Sequence, residues 1–417
     1  MEEKKLGVYV HIPFCAGKCA YCDFYSLVGR DELMPAYQKA VLRHIREAGQ
    51  QLSGYLIDSV YFGGGTPSYY GAARLVRIFE ALKKCGRVLV DSEVTLEANP
   101  DSITFADLVK LRRAGFNRLS LGAQCADDGL LKSIGRLHNF AQVEEAVKNA
   151  RRAGFENINI DLIYGLPSQT RDGWADTIAR AAALKPEHFS CYGLKIEEGT
   201  ALWPFRDSPF IPDADLQADM YLYMVEALGK YGYHQYEISN FAKRDRQSRH
   251  NLKYWMGEEY MGFGAAAHSY VSGQRYGYVK DVAAYTENVL AGRGVVDQSE
   301  RLTDFERAGE YLMLGLRTTR GICEKEYYDI FPCSFEMAAE LMDSYVEKGW
   351  MVRTGERWSF TPEGFLLSNV LIGEVLDAQT KQRMSIVSPW KKDEDAEYQF
   401  SIFNKKPGQI ELFHGIS

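Results

Sequence analysis

Gly7-Val-Tyr-Val-His11-Ile-Pro-Phe-Cys15-Ala-Gly-Lys-Cys19-Ala-Tyr-Cys22 carries a strand-like run into a loop that holds three cysteines. The CxxxCxxC spacing supplies three thiolates from one short segment. A 4Fe–4S cube has four irons, so one iron is left for a small molecule to occupy. Two other readings fit the same loop. Zinc favours four closed ligands in structural sites, and His11 is the nearest fourth donor, with Pro13 between it and the loop. A disulfide needs an oxidising compartment. The chain opens Met-Glu-Glu-Lys-Lys with no secretory pattern, so the expectation is a reducing cytoplasm.

Six strand-like runs are read outward from this loop: Leu6–His11, Leu56–Phe62, Val94–Ala98, Leu119–Gln124, Asn157–Tyr164 and Phe189–Leu194. Helical patterns separate them at Asp31–Leu52, Gly71–Lys84, Thr104–Ala114, Phe140–Ala153 and Arg171–Leu184. Glycine follows Ala114 and Ala153, where a left-handed cap is easily reached. Strand and helix in alternation predict an α/β fold with a parallel sheet and right-handed crossovers. Six units fall short of the eight of a closed barrel, so a partial, TIM-like (β/α)6 barrel is expected.

That architecture gathers function where strands end. The first strand runs into the cysteine loop and the second into Gly63-Gly64-Gly65-Thr66-Pro67. The third ends Glu97-Ala-Asn99-Pro100 and the fourth Gly122-Ala-Gln124. The fifth carries Asp161 before Gly165-Leu-Pro167, and the sixth leads to Tyr192 and Lys195-Ile-Glu197. Each cluster has a plain structural reading as a turn or a salt-bridged acid. A carboxylate in an apolar strand needs a partner, which Arg136 or a cationic ligand would provide. Together the clusters favour one ligand bearing an ammonium and a carboxylate.

The length of 417 residues implies two or more domains. A net charge of −7 argues against nonspecific nucleic-acid binding. No apolar run approaches the roughly 18–20 residues of a membrane span. Cys85, Cys125, Cys191, Cys323 and Cys333 lie outside the motif and read as small buried apolar residues.

CxxxCxxC followed by GGGTP at the next strand end resembles the radical S-adenosylmethionine (radical SAM) superfamily. That likeness implies a cluster whose open iron chelates S-adenosylmethionine and, on reduction, cleaves it to a 5′-deoxyadenosyl radical. His11-Ile-Pro-Phe-Cys15, Tyr21-Cys22-Asp-Phe24, Glu97-Ala-Asn-Pro-Asp101, Ile134-Gly-Arg-Leu-His138 and Asp161-Leu-Ile-Tyr-Gly-Leu-Pro167 are similar to the branch holding oxygen-independent coproporphyrinogen III oxidases and HemW-type haem chaperones. The resemblance spans about residues 6–376. It implies that Cys15, Cys19 and Cys22 ligate the cluster. It implies that Tyr9, Tyr21, Gly64, Gly65, Thr66, Glu97, Gln124, Arg136 and Asp161 contact S-adenosylmethionine, with Lys195 a weaker match.

The oxidase motif continues to a fourth cysteine, where this chain has Phe24, and the oxidase carries an N-terminal extension, where five residues here precede the first strand. Both departures match the chaperones. So does Arg249-His250-Asn251-Leu-Lys-Tyr254-Trp255, the HNxxYW signature, which implies haem binding through His250. His268 sits in a second motif-like segment. The partners implied are haem or porphyrin and apo-haemoproteins such as respiratory cytochromes. Any membrane association would be peripheral and through such a client. The alternatives are radical oxidative decarboxylation of coproporphyrinogen III and a zinc-stapled scaffold.

The chain is thus read as a radical SAM core over 1–235, a connecting segment with the HNxxYW motif over 236–300, a winged-helix-like C-terminal domain over 301–376 and a tail without assigned role over 377–417. In the third part helices are expected at Thr303–Arg317, Glu324–Ile330 and Ser334–Lys348. A hairpin of Trp350–Arg353 and Arg357–Phe360 follows, then a helix opening at Thr361-Pro362. Glu336, Glu340, Asp343 and Glu347 make the candidate recognition helix acidic, which argues against DNA. In the tail, Lys391–Glu397 reads as a solvated loop and Tyr398–Phe403 as a strand.

Overall fold

The computed structural model describes residues 3–386. Strands β1 (Lys5–Ile12), β2 (Leu56–Gly64), β3 (Arg87–Ala98), β4 (Arg118–Gln124), β5 (Asn157–Tyr164) and β6 (His188–Gly193) lie side by side in chain order. Each pairs in parallel with the next. Helices α1 (Met34–Glu47), α2 (Ala72–Cys85), α3 (Phe105–Ala114), α4 (Phe140–Arg152) and α5 (Arg171–Ala183) supply the crossovers. The expected α/β architecture with parallel strands is therefore present.

Local chemistry sets the helix ends. Thr104 with Asp107 and Asn139 with Gln142 form reciprocal capping boxes at the starts of α3 and α4. Gly115 closes α3 in the left-handed region at φ 114°. The long helix expected from Asp31 to Leu52 is interrupted. Asp31–Leu33 is a 3₁₀ turn, α1 starts at Met34 with a proline in its first turn, and a separate turn covers Gly49–Leu52. Pro35 has no backbone N–H to give, so it suits a helix start rather than an interior. Strand β3 begins seven residues earlier than expected, at Arg87 rather than Val94.

Alternation along the strands divides the barrel wall. Val8, Val10, Val60, Phe62, Leu96, Leu119, Leu121, Ile158 and Ile160 are fully buried on the face that the crossover helices cover. The opposite face carries Tyr9, Tyr61, Glu97, Ser120, Asn159 and Asp161, so the enclosed side is polar and hydrogen-bonded. Such an interior suits a polar ligand better than a dry core does.

Residues 234–301 add strands to the same sheet at both edges. Beyond β6 lie β7 (His234–Gln235) and β8 (Asn240–Ala242), antiparallel. Beyond β1 lies β9 (Tyr260–Phe263), parallel to it, then β10 (His268–Val271), β11 (Gln274–Tyr278) and β12 (Val296–Arg301), antiparallel. One compact unit contains the chain up to Arg301 apart from Trp255–Gly257, and those three residues group with the chain from Leu302 onward.

The second unit has helices α7 (Asp304–Gly315), α8 (Glu324–Ile330) and α9 (Glu336–Glu347) and a three-stranded antiparallel sheet. The sheet is β13 (Ile322–Cys323), β14 (Met351–Thr354) and β15 (Arg357–Phe360), with β15 central. Trp358 of β15 is fully buried and its indole N–H donates to Asp343 at 2.8 Å. Asp343 also accepts from Arg353 at 2.8 Å, so one of the acidic residues of α9 is spent inside the unit. Thr361 caps the short helix Pro362–Leu366, and a long helix, Ser368–Ile386, follows. The solvated loop and the strand expected in the tail lie outside the described residues. Among the described residues no helix is long and apolar enough to cross a membrane.

Candidate cofactor site

The cysteine loop leaves β1 through Phe14–Cys15, which pairs in parallel with Leu27–Val28 and folds the loop back on itself. Lys18 closes it further, donating to the Phe24 carbonyl and to Ser26. A neighbouring turn supports the middle of the loop. Ala20 N–H donates to the Ile134 carbonyl at 2.9 Å, and Gly135 turns the chain there at φ 78°, a left-handed backbone that glycine adopts without strain.

A continuous chain of hydrogen bonds links two of the three sulfurs. Thr66 Oγ1 donates to Cys15 Sγ at 3.4 Å and accepts from Asn99 Nδ2 at 3.3 Å. Asn99 Oδ1 accepts from Arg136 Nη2 at 2.7 Å, and Arg136 Nη1 donates to Cys19 Sγ at 3.5 Å. Arg136 is held from the other side by the Gly122 carbonyl at 2.8 Å. The ends of β1, β2, β3 and β4 thus meet around the loop, as strand-end placement requires. A small cleft opens there, lined by Cys19, Thr66, Asn99 and Arg136 among others. Asn99 was quoted in the strand-end motif but not singled out as a site residue. Its signal was its place between Glu97 and a proline.

The glycine turn lies against Cys15. A Cβ on Gly65 would stand 2.9 Å from the Phe14 N and O and 3.0 Å from Cys15 Sγ, and one on Gly64 would strike the His11 ring at 2.5 Å. Gly64 also has φ 115°. Both positions require the missing side chain. Gly64 N–H donates to Glu97 Oε2 at 3.1 Å, and Tyr61 donates to Glu97 Oε1 at 2.8 Å. Burial pushes the Glu97 carboxyl up to about 7, and the Asp161 carboxylate nearby adds to the rise. A carboxylate held this way gains most from an arriving cation.

The other expected positions have separate surroundings. Tyr9 stacks on Tyr61, with its hydroxyl 3.0 Å from His11 Nδ1. Asp161 accepts from Asn159 at 2.6 Å and from Ser120 at 3.2 Å. Gln124 holds φ 59°, and its buried Oε1 has no hydrogen-bond partner among the described residues. Such a backbone costs of order 1 kcal/mol and accumulates at ligand sites. Tyr21 packs against the apolar cluster of Cys125, Leu131, Ile134 and Leu166. Lys195 is exposed and paired with Glu197, away from the buried groups. His268 lies on β10 with its ring against Gly277.

Burial raises the thiols of Cys15 and Cys22, the latter to about 11. A thiol held up in this way has to lose its proton before it can ligate a metal. Among the described residues no three His, Cys, Asp or Glu side chains converge on a single ion. Zinc in a closed four-donor site has no such group here. Three cysteines spread along a loop, with sulfurs braced by Thr66 and Arg136, fit a larger iron–sulfur group. Of the remaining cysteines, Cys125 and Cys191 are buried as expected, whereas Cys85, Cys323 and Cys333 are only partly so.

His250 is not brought to the cysteine loop. It lies on the helix α6 (Arg249–Trp255), beneath the barrel, and is 1% exposed. Its Nδ1 is 2.9 Å from Ser59 Oγ and its Nε2 3.0 Å from Tyr254 Oη, so both nitrogens are engaged. Its ring stacks on Tyr61, and its backbone N–H donates to Glu93. Axial coordination by His250 would need the Tyr254 contact broken and the ring uncovered.

Burial pulls His250 down to about 3, and His11 and His44 to about 4. Their folded pKa values lie below the unfolded value near 6.5, so the unfolded chain takes up protons first. The neutral rings contribute full stability above pH 6.5 and lose it as pH falls. At pH 5 each accounts for roughly 2 kcal/mol. Raised carboxyls such as Glu97 offset part of this. Melting temperature of the metal-free chain should fall from pH 7 to pH 5; a constant or rising value would contradict neutral burial.

Residues 9–181 match the model of the radical SAM superfamily, and residues 302–367 match that of the HemN C-terminal domain. The Heme chaperone HemW of Bacillus subtilis is 35% identical over 378 residues, covering 89% of this chain and 99% of its own. The Heme chaperone HemW of Mycobacterium tuberculosis is 31% identical, covering 90% and 96%. Among solved structures, the coproporphyrinogen III oxidase HemN of Escherichia coli superposes with a TM-score of 0.80 at 23% identity, covering 90% of each chain, which shows a shared fold. With relatives this similar over nearly their whole length, the chain belongs to the HemW family of radical SAM proteins.

Proposed function

We propose that this chain is a haem chaperone: it binds haem and passes it to apo-haemoproteins such as respiratory cytochromes. In this reading Cys15, Cys19 and Cys22 hold a 4Fe–4S cluster, and S-adenosylmethionine fills the open iron. The observation that carries the cofactor half is the hydrogen-bonded chain from Cys15 through Thr66, Asn99 and Arg136 to Cys19. The haem half is supported by the likeness to curated relatives named Heme chaperone HemW.

When bound, the cluster and S-adenosylmethionine supply one-electron chemistry. The chain's own residues do the positioning. Arg136 stabilises the Cys19 thiolate through a charge-assisted hydrogen bond. Tyr61 and the Gly64 N–H fix the Glu97 carboxyl, which takes the ligand's ammonium as it loses its proton. Gln124 offers its free carbonyl oxygen to a donor on the ligand.

Haem titration of the anaerobically reconstituted chain tests the chaperone role. A saturable Soret change and transfer to an apo-haemoprotein are expected; absence of both overturns the role. The same titration on His250→Ala separates coordination, which would lose the Soret shift, from support of the barrel floor, which would keep it. Formation of protoporphyrinogen from coproporphyrinogen III would favour the oxidase reading instead.

A further inference from the structure

Two chains of contact run from the acids of the barrel wall to the helix that carries His250. The first starts at Asp161, which accepts from Asn159 Nδ2 at 2.6 Å. The opposite amide orientation would set an oxygen against the carboxylate, so this one is fixed by its partners. Asn159 Oδ1 is then an acceptor, and His188 Nδ1 of β6, 2.7 Å away, carries the proton. His188 Nε2 accepts from the Tyr236 hydroxyl at 2.8 Å, and the Tyr236 oxygen accepts from the Ser248 N–H at 3.3 Å. Every member donates toward Asp161. Asn159, His188 and Tyr236 are all buried. Ser248 immediately precedes α6. Its hydroxyl donates to Glu93, which also accepts from the Arg249 and His250 N–H groups.

The second chain is Tyr61. Its hydroxyl donates to Glu97 at 2.8 Å, and its ring stacks on His250 with 5.3 Å between centroids. Gly7 of β1 also abuts the His250 ring, where a Cβ would stand 3.2 Å away. With Ser59 and Tyr254 on the two nitrogens, the ring is held in place from several sides.

An imidazole ligates iron through a nitrogen lone pair. To offer one, His250 has to leave Ser59 or Tyr254 and come out from under Tyr61, drawing the start of α6 with it. That movement takes the stacking face from Tyr61 and the Ser248 N–H from Tyr236. Glu97 and Asp161 then lose the far ends of the contacts that fix them. A ligand that needs both acids in place binds the covered state better, and a ligand on His250 selects the uncovered state. Ligands that prefer opposite states weaken each other by one common factor.

We propose that Tyr61 and His188 are positioning residues that join the two sites, so that S-adenosylmethionine at Glu97 and Asp161 and haem on His250 oppose one another's binding. This rests on the functional reading above, with His250 as the haem ligand. It gives the chain an order of events: the haem-loaded form holds S-adenosylmethionine weakly, and arrival of S-adenosylmethionine promotes haem release.

Anaerobic calorimetry on the reconstituted chain tests it. S-adenosylmethionine affinity is measured with and without saturating haem, and haem affinity with and without saturating S-adenosylmethionine. In the wild type each ligand should weaken the other about tenfold, equally in both directions. Tyr236→Phe removes the hydroxyl between His188 and Ser248, and Tyr61→Phe removes the one on Glu97; both keep the ring. Each single variant should lower the factor to roughly threefold and the double variant to about one. A wild type that binds each ligand alone but shows no mutual effect, or tighter binding of one beside the other, overturns the proposal and leaves the functional reading intact. A wild type that fails to bind either ligand alone overturns both. A full tenfold effect in Tyr236→Phe removes His188 from the proposal even where the double variant does not fold.

Hydrogen exchange without haem gives a second readout. S-adenosylmethionine should slow exchange of the segment 248–254 in the wild type, and less so in Tyr236→Phe, while β5 exchanges alike in the two proteins. Equal slowing in both, or faster exchange throughout the barrel of the variant, marks a purely structural role and overturns the proposal.

Discussion

Cys19→Ser should abolish cluster assembly. Serine keeps the shape but replaces a soft thiolate with a hard, weakly acidic hydroxyl, which iron–sulfur clusters accept poorly. Only Cys15 and Cys22 would remain, and Arg136 would lose the anion it faces at 3.5 Å. The loss should exceed the roughly 10–100-fold typical of removing a supporting hydrogen bond from a metal site. Iron and sulfide analysis after anaerobic reconstitution is the measurement. The metal-free variant should melt within about 2 °C of wild type, because Cys19 is only half-buried and a surface change is worth about ±0.5 kcal/mol. Wild-type iron content in Cys19→Ser would remove this cysteine from the ligand set.

Gly65→Ala should be the second most damaging single change at the site. The added methyl group meets the Phe14 backbone N and O at 2.9 Å and the Cys15 sulfur at 3.0 Å. Backbone cannot swing aside as a long side chain can, so the turn and the loop must separate. Overpacking of this kind typically costs about 1–3 kcal/mol. The displacement falls on Cys15 and on the Thr66 hydrogen bond, so cluster occupancy should drop along with melting temperature. Gly373→Ala is the control, since a Cβ there meets nothing within 4 Å. It sits within a long helix, where alanine is favoured over glycine by roughly 0.5–1 kcal/mol. Equal behaviour of the two variants would mean that the glycine turn does not brace the loop.

Much of this site was legible because glycine, proline and cysteine punctuate strand ends. Asn157–Tyr164 was bounded correctly at both ends, between a glycine-capped helix and Gly165. The first part of β3 was not, because Arg87–Glu93 mixes charge with an exposed Val90 and shows no clear period. His188 was invisible for a different reason. It stands one residue outside the strand expected at Phe189–Leu194, and only the register of β5 and β6 sets it beside Asn159. His250 shows the limit most clearly. Its motif was readable, but its contacts with Ser59 and Glu93 join residues more than 150 positions apart. No local pattern encodes that closure.

Electron paramagnetic resonance of the reduced, reconstituted chain, recorded anaerobically with and without S-adenosylmethionine, tests most directly whether the three-cysteine loop leaves an iron open to a ligand. A cluster spectrum that changes on addition in the wild type and is absent in Cys19→Ser is the predicted result. A wild-type cluster spectrum that stays superimposable at saturating S-adenosylmethionine would contradict it.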